Sequence, residues 1–319
     1  TWDTSQAEPD SHHALRLTAT DDQGNIDEVQ VVWIYLDSFM KPGWPHHVPI
    51  SGEYPTMEWR TLKAVDLDGD GTREIVFVDP GYEDATVPRL VALRADGSTF
   101  VELDLPDGEP RFDIPAIGDL DGDGNMEIVT AAGGRLQQFR FDGSTLVEGW
   151  AVDFPSRWNT KVIDDLDRDG SDELVVFRDR GDSGELSELI VFEGDGSIMR
   201  SWEINTCGVF DPVHPIFPIV GNLDEDPEYE IVVVSGCDSL AMHDLAKSEP
   251  VWRKTFNAWF ATSPVMGDID GDGANEIVIA STDNDRESKG GIHIVRTDGK
   301  PLAGWPVLVE ESFESSPVV

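Results

Sequence analysis

The sequence is short of positive charge, of cysteine and of long apolar runs. Its 23 Lys and Arg stand against 63 Asp and Glu, a formal net charge of -40 in 319 residues. Nucleic-acid binding rests on Lys and Arg meeting phosphates, so this balance excludes it. Anionic membrane surfaces are disfavoured for the same reason. No apolar run approaches the roughly 18 residues that a membrane-spanning helix needs. The sequence also lacks a G-x-S-x-G nucleophile elbow, a His-based zinc motif and a phosphate-cradling glycine loop. The paired histidines His12/His13 and His46/His47 read as surface residues rather than a catalytic set. The 39% hydrophobic and 9% aromatic content is that of a globular chain rather than a disordered one.

What the sequence has in abundance is a repeated acidic stretch. "AVDLDGDGTREIVFV" at 64 to 78 returns as "IGDLDGDGNMEIVTA", "IDDLDRDGSDELVVF", "VGNLDEDPEYEIVVV" and "MGDIDGDGANEIVIA". The first acidic or amide positions are Asp66, Asp119, Asp165, Asn222 and Asp268, separated by 53, 46, 57 and 46 residues. In each copy a short strand enters the acidic turn. A β-branched run leaves it, too short for a helix and right for a buried strand. Third strands such as "RLQQFRFDG" and "GGIHIVRTDG" end in Gly turn signals, and fourth strands such as "SIMRSWEIN" follow. Four short antiparallel strands at this period predict an all-β propeller of four-stranded blades, with five to six visible. A stack of parallel β-helix coils would need a shorter period.

The ends refine this expectation. "MKPGWPHHVP" at 40 to 49 resembles "GKPLAGWPVLVE" at 299 to 310, which points to an outer strand that closes the ring against the last blade. "ESSPVV" repeats the "TSPVM" that leads into Asp268. Residues 39–319 therefore read as a propeller truncated at its C-terminal end, from a parent ring of six to eight blades. Residues 1–38 do not fit the repeat and form a hairpin around "DDQGN". They resemble the closing hairpin of bacterial immunoglobulin-like or polycystic-kidney-disease-type domains.

The density of carboxylates at each bend calls for a cation. A hard divalent ion such as Ca²⁺ takes six to eight oxygens from alternating loop positions, provided that the backbone turns sharply. Positions 1, 3, 5, 7 and 9 of the first loop are Asp66, Asp68, Asp70, Thr72 and Glu74, with Thr72 offering its carbonyl. The second loop supplies Asp119, Asp121, Asp123, Asn125 and Glu127, the third Asp165, Asp167, Asp169, Ser171 and Glu173. The fifth supplies Asp268, Asp270, Asp272, Ala274 and Glu276. The fourth departs from the pattern: Asn222 replaces the first Asp and Pro227 stands where Gly supplies the turn, which leaves Asp224, Asp226, Glu228 and Glu230. Four to five Ca²⁺ sites are expected. An EF-hand is excluded, because position 12 is Phe77, Thr130, Val176, Val233 or Ile279 rather than a bidentate Glu. Mg²⁺ prefers to keep waters over an all-protein cage. Five divalent ions would return ten charges and leave about -30, which suits solubility in a salty or calcium-rich medium.

On these motifs the chain resembles the FG-GAP or VCBS repeat family, the calcium-loop propellers typified by the integrin α-subunit head. The pattern D-x-D-G-D-G-x-x-E-I-V is met closely at Asp66, Asp119 and Asp268, loosely at Asp165 and poorly at Asn222. The resemblance implies Ca²⁺ between the first and second strands of a blade and a ligand face on the opposite side. It also implies an extracellular or cell-surface multidomain protein, with adhesion, assembly or carbohydrate contact as its role. Some relatives are enzymes, including polysaccharide lyases.

On the side opposite the loops the register places Trp59, Phe112, Trp158, Phe217, Trp259 and Phe260, with Arg60, Arg111, Arg157 and His214 nearby. Two readings stand: an aromatic platform for sugars or a partner's side chains, or wedges packed between blades. Alternating strand direction puts the loops of Cys207 and Cys237 on one face, so a disulfide fits there and points to an oxidising compartment. Two unpaired small hydrophobes are the alternative. The functional expectation is a non-catalytic binding or assembly module for a protein or carbohydrate ligand. A secreted polysaccharide-active enzyme and a self-packing appendage subunit are the alternatives. A ligand held only by the folded state stabilises it by mass action. Chelation is therefore expected to lower the melting temperature substantially and reversibly, and a melt unchanged by chelator would count against metal.

Overall fold

The computed structural model describes residues 11–20, 26–36, 62–79, 87–108, 113–156, 159–179, 186–205, 217–224, 226–235, 238–256, 258–260, 262–282 and 290–309. Two compact units divide the chain. The first holds an antiparallel hairpin of β1 (Ser11–Thr20) and β2 (Ile26–Leu36), with a register shift at Leu17/Thr18. The hairpin lies where the sequence predicts one.

The second unit contains five four-stranded antiparallel sheets, each a meander in chain order. The first is β3 (Lys63–Val65), β4 (Glu74–Asp79), β5 (Arg89–Leu93) and β6 (Thr99–Asp104). The second is β7 (Ala116–Gly118), β8 (Glu127–Ala132), β9 (Arg135–Phe141) and β10 (Leu146–Asp153). The third is β11 (Asn159–Asp164), β12 (Glu173–Asp179), β13 (Leu186–Phe192) and β14 (Ile198–Asn205). The fourth is β15 (Ile219–Gly221), β16 (Glu230–Val234), β17 (Ser239–His243) and β18 (Trp252–Thr255). The fifth is β19 (Val265–Gly267), β20 (Glu276–Thr282), β21 (Gly290–Val295) and β22 (Val307–Val309). These are the blades of a β-propeller. No helix occurs among the described residues.

The second strand of a blade is apolar along its length because both of its faces are covered. Successive side chains point to opposite faces of a sheet. Ile128 accordingly packs with Val76, Val78 and Leu90 of the first blade. Its neighbour Val129 packs with Leu174, Val176 and Ile190 of the third. Between the third and fourth blades Val175 and Phe177 meet Ile231 and Val233. Between the fourth and fifth, Val232 and Val234 meet Ile277 and Ile279. Each of these four cores is therefore shared by two blades, while a smaller cluster of Val278, Ile294 and Leu302 lies within the fifth.

Polar links repeat at the same junctions. The indole N–H of Trp150 in β10 donates to the Gly194 carbonyl at 2.8 Å, in the turn after β13. Trp202 in β14 reaches the Lys247 carbonyl at 3.2 Å and Trp252 in β18 the Thr297 carbonyl at 2.7 Å. In each case the fourth strand of one blade holds the outer turn of the next, 44 or 45 residues on.

The second and third blades have an additional clamp. Lys161 Nζ lies 2.5 Å from Asp113 Oδ1 and 2.7 Å from Asn159 Oδ1, with side-chain exposures of 0% for Lys161 and 1% for Asp113. The other Asp113 oxygen accepts from Thr130 Oγ1 and the Ala131 amide. The register of the repeat puts Lys161 where the second, fourth and fifth blades carry Pro115, Pro218 and Pro264. Removing one member of a buried ion pair leaves an uncompensated charge. Lys161→Met is expected to cost roughly 3–5 kcal/mol in denaturant unfolding. The double variant Lys161→Met/Asp113→Asn is expected to recover part of that loss, and equal losses in the two would refute the clamp.

Candidate metal centres

Each acidic loop connects the first strand of a blade to the second. Tight reversal needs left-handed backbone at positions 4 and 6, and the glycines there have it: Gly69 φ 72°, Gly71 φ 86°, Gly122 φ 68° and Gly124 φ 88°. The fifth loop repeats this at Gly271 and Gly273. In the third loop position 4 is Arg168, at φ 66°, which L side chains adopt only at a cost. Its guanidinium stacks 4.5 Å from the ring centroid of Tyr229 in the fourth loop, an attraction that offsets that cost.

The loop backbone is organised by its own carboxylates. The position 6 amides of Gly71, Gly124, Gly170 and Gly273 donate to Oδ2 of Asp66, Asp119, Asp165 and Asp268 at 2.8 to 3.2 Å. The position 7 amides of Thr72, Asn125, Ser171 and Ala274 donate to the position 5 carboxylates of Asp70, Asp123, Asp169 and Asp272.

The decisive residue is the glutamate at position 9, the first residue of the second strand. Glu74, Glu127, Glu173, Glu230 and Glu276 are only 1–2% exposed. In every loop its Oε2 accepts the position 2 amide, from Leu67, Leu120, Leu166, Leu223 or Ile269, at 2.6 to 3.0 Å. The strand thus buries a carboxylate and pins it with one oxygen. Burial, with neighbouring aspartates adding to it, pushes Glu127, Glu173 and Glu230 up to about 7. Burial raises Glu74 as well.

Carboxylate oxygens converge to within 4.8 Å of one another in five groups: Asp66, Asp68 and Asp70; Asp119, Asp121 and Glu127; Asp165, Asp167 and Glu173; Asp224, Asp226 and Glu230; Asp268, Asp270 and Glu276. Oδ1 of Asp119 and of Asp165 is buried without a hydrogen-bond partner. An all-oxygen donor set with orphaned acceptors fits a hard divalent cation.

In the fourth loop Asn222 turns its amide back onto the Asp226 carbonyl at 2.5 Å, and Glu228 is exposed and outside the converging group. Its three carboxylates nevertheless meet as the others do.

Neighbouring loops are also tied together. Asp172 at position 8 of the third loop accepts the Asp119 amide at 2.8 Å, and its own amide donates to the Asp119 carbonyl. The Tyr229 amide donates to the Leu166 carbonyl in the same way. Sequence reading missed these ties and the tryptophan links. The latter had a signal: Trp150, Trp202, Trp252 and Trp305 stand seven or eight residues after Asp142, Asp195, Asp244 and Asp298 of the outer turns.

Of the aromatic positions expected opposite the loops, Trp59, Phe112 and Trp158 lie outside the described residues, as do Cys207, Cys237, Arg60, Arg111, Arg157 and His214. Phe217 and Trp259 are half-buried, and the Phe217 amide donates to Ser263 Oγ at 2.8 Å. Phe260 corrects the platform reading at its position. It is 0% exposed, packed edge-on to Phe256 and His293 in the core shared by the fourth and fifth blades. Its large apolar ring gains more from this wedge than from solvent.

An FG-GAP-like repeat family matches residues 66–130 and 119–176. No curated protein matches the chain. Among solved structures, the Vibrio cholerae biofilm matrix protein Bap1 is similar at 15% identity and TM-score 0.43, covering 81% of this chain and 71% of that one. The Dos1 propeller is similar at 13% identity and TM-score 0.46, covering 70% and 59%. The C-terminal domain of Pseudomonas aeruginosa PilY1 is similar at 11% identity and TM-score 0.45, covering 68% and 60%.

Glu173→Gln preserves the acceptor for Leu166 but removes the buried charge. It is expected to lower the number of calcium ions counted by native mass spectrometry by one, whereas Glu228→Gln leaves the count unchanged.

Proposed function

We propose that this chain, which carries FG-GAP-like repeats, is a non-catalytic, calcium-stabilised propeller module of a secreted or cell-surface protein that binds a protein or carbohydrate ligand. The observation that carries the reading is the repeated buried glutamate. Five carboxylates are taken out of water beside aspartates, a costly arrangement unless a cation compensates it. Glu74, Glu127, Glu173, Glu230 and Glu276 would each hold one Ca²⁺ together with the aspartates of their loops. The bound ions supply positive charge that fixes the bends between strands. With those bends fixed, the opposite ends of the blades form a rigid scaffold for loops that make contacts.

The carboxylates support structure rather than acid–base work, because each is already engaged with backbone amides or its loop partners. The large surplus of negative charge suits a calcium-rich extracellular setting. Among the described residues no helix is long and apolar enough to cross a membrane. The pairing of Cys207 with Cys237 belongs to the same proposal.

An oligosaccharide array probed in millimolar calcium and again with chelator tests the reading. Calcium-dependent retention of at least one glycan class, without its cleavage, is the expected result. New reducing or unsaturated ends on a polysaccharide incubated with the chain would overturn the non-catalytic reading.

A further inference from the structure

A groove of about 830 Å³ lies between the second and third blades on the calcium-loop side. Asp121 of one loop and Asp169 and Glu173 of the next form part of its wall. The remainder comes from outer strands: Gln138 and Arg140 of β9, Glu148 and Trp150 of β10, and Glu193 and Asp195 of the turn after β13.

Gln138 distinguishes the groove from an ordinary acidic surface. The residue is only 6% exposed, and its amide makes no hydrogen bond among the described residues. The amide lines the groove with its donor and acceptor free to meet a bound group. The amide lies over Gly149, where a Cβ would stand 1.8 Å from Gln138 Oε1 and would push the side chain aside.

Charge then selects the ligand. With a divalent ion in each neighbouring loop, and with Arg135 3.9 Å from Glu148, the carboxylates of Glu193 and Asp195 still outnumber the one cation that lines the groove, Arg140. The half-buried Glu193 carboxylate has no hydrogen-bond partner among the described residues, while Glu148 is steadied by Gln137 Nε2 at 2.6 Å. Trp150, held by its bond to Gly194, offers apolar surface beside these carboxylates.

We propose that this groove binds a long-stemmed organic cation, an alkylammonium or guanidinium on an aliphatic chain. Its head meets Glu193 and Asp195, its stem lies along Trp150, and its donor reaches Gln138. Long cationic side chains bury their methylene stems in this manner. The group could come from a lysine or arginine of a partner protein or from a free polyamine. The site is distinct from the ligand face opposite the loops and stands whether or not that face binds glycans.

Calorimetric titration in excess calcium with spermidine, with a tri-lysine peptide and with neutral chitotriose tests it. One saturable site for a cationic probe is expected, weakened by salt and about tenfold by Glu193→Gln/Asp195→Asn, with chitotriose inert at this site. Gln138→Leu is expected to weaken it as well, and unchanged melts in calcium confirm that both variants fold. Tighter spermidine binding identifies a free polyamine as the source, tighter peptide binding a partner's side chain. Absence of saturable binding overturns the proposal. Binding unchanged in both variants also overturns it, by placing the cation elsewhere on the acidic surface. Competition by calcium itself overturns it too, by making the groove an additional metal site.

Discussion

A carboxylate pinned inside the protein by one of its two oxygens is the constraint from which the rest follows. In each blade the glutamate that begins the second strand gives Oε2 to the position 2 amide of the loop, and in the second to fifth blades its carboxylate also converges with two aspartates. That geometry joins the first two strands at the point where the chain reverses. It also creates the local excess of negative charge that an ion or a proton must relieve.

The second organising feature is that the four main cores lie between adjacent blades rather than inside one. Alternate residues of β8 serve the first blade and the third, and the same division recurs at later junctions. Stability of such arrays is a sum of repeat terms and nearest-neighbour terms. The ties from Asp172 to Asp119 and from Tyr229 to Leu166 extend this neighbour dependence to the loops. The backbone of one loop is thereby a direct hydrogen-bond partner of the next.

Much of this was legible in the sequence, for reasons specific to the residues. The D-x-D-G-D-G pattern marked the first, second and fifth loops, because left-handed turns favour glycine and converging oxygens demand aspartate, and the shared spacing of acids ahead of a Glu-led apolar run marked the third and fourth. The apolar runs beginning at Glu74, Glu127, Glu173, Glu230 and Glu276 marked the second strands for the same local reasons. Contacts between repeats were not legible. Phe260 looks identical in sequence whether it faces solvent or wedges between blades, and only the position of the neighbouring sheet decides. Lys161 in place of a proline was visible as an irregularity, but its partner Asp113 is 48 residues away and in no motif. Gln138 was similarly silent, since its place over Gly149 depends on the pairing of neighbouring strands.

The tryptophan links have a direction. Trp150, Trp202 and Trp252 each reach forward along the chain, never back. During synthesis a blade leaving the ribosome therefore carries an indole whose acceptor has yet to be translated, and the following outer turn emerges about 45 residues later to meet it. The order of synthesis and the order of these three links therefore coincide, each blade presenting its donor to the one that follows it.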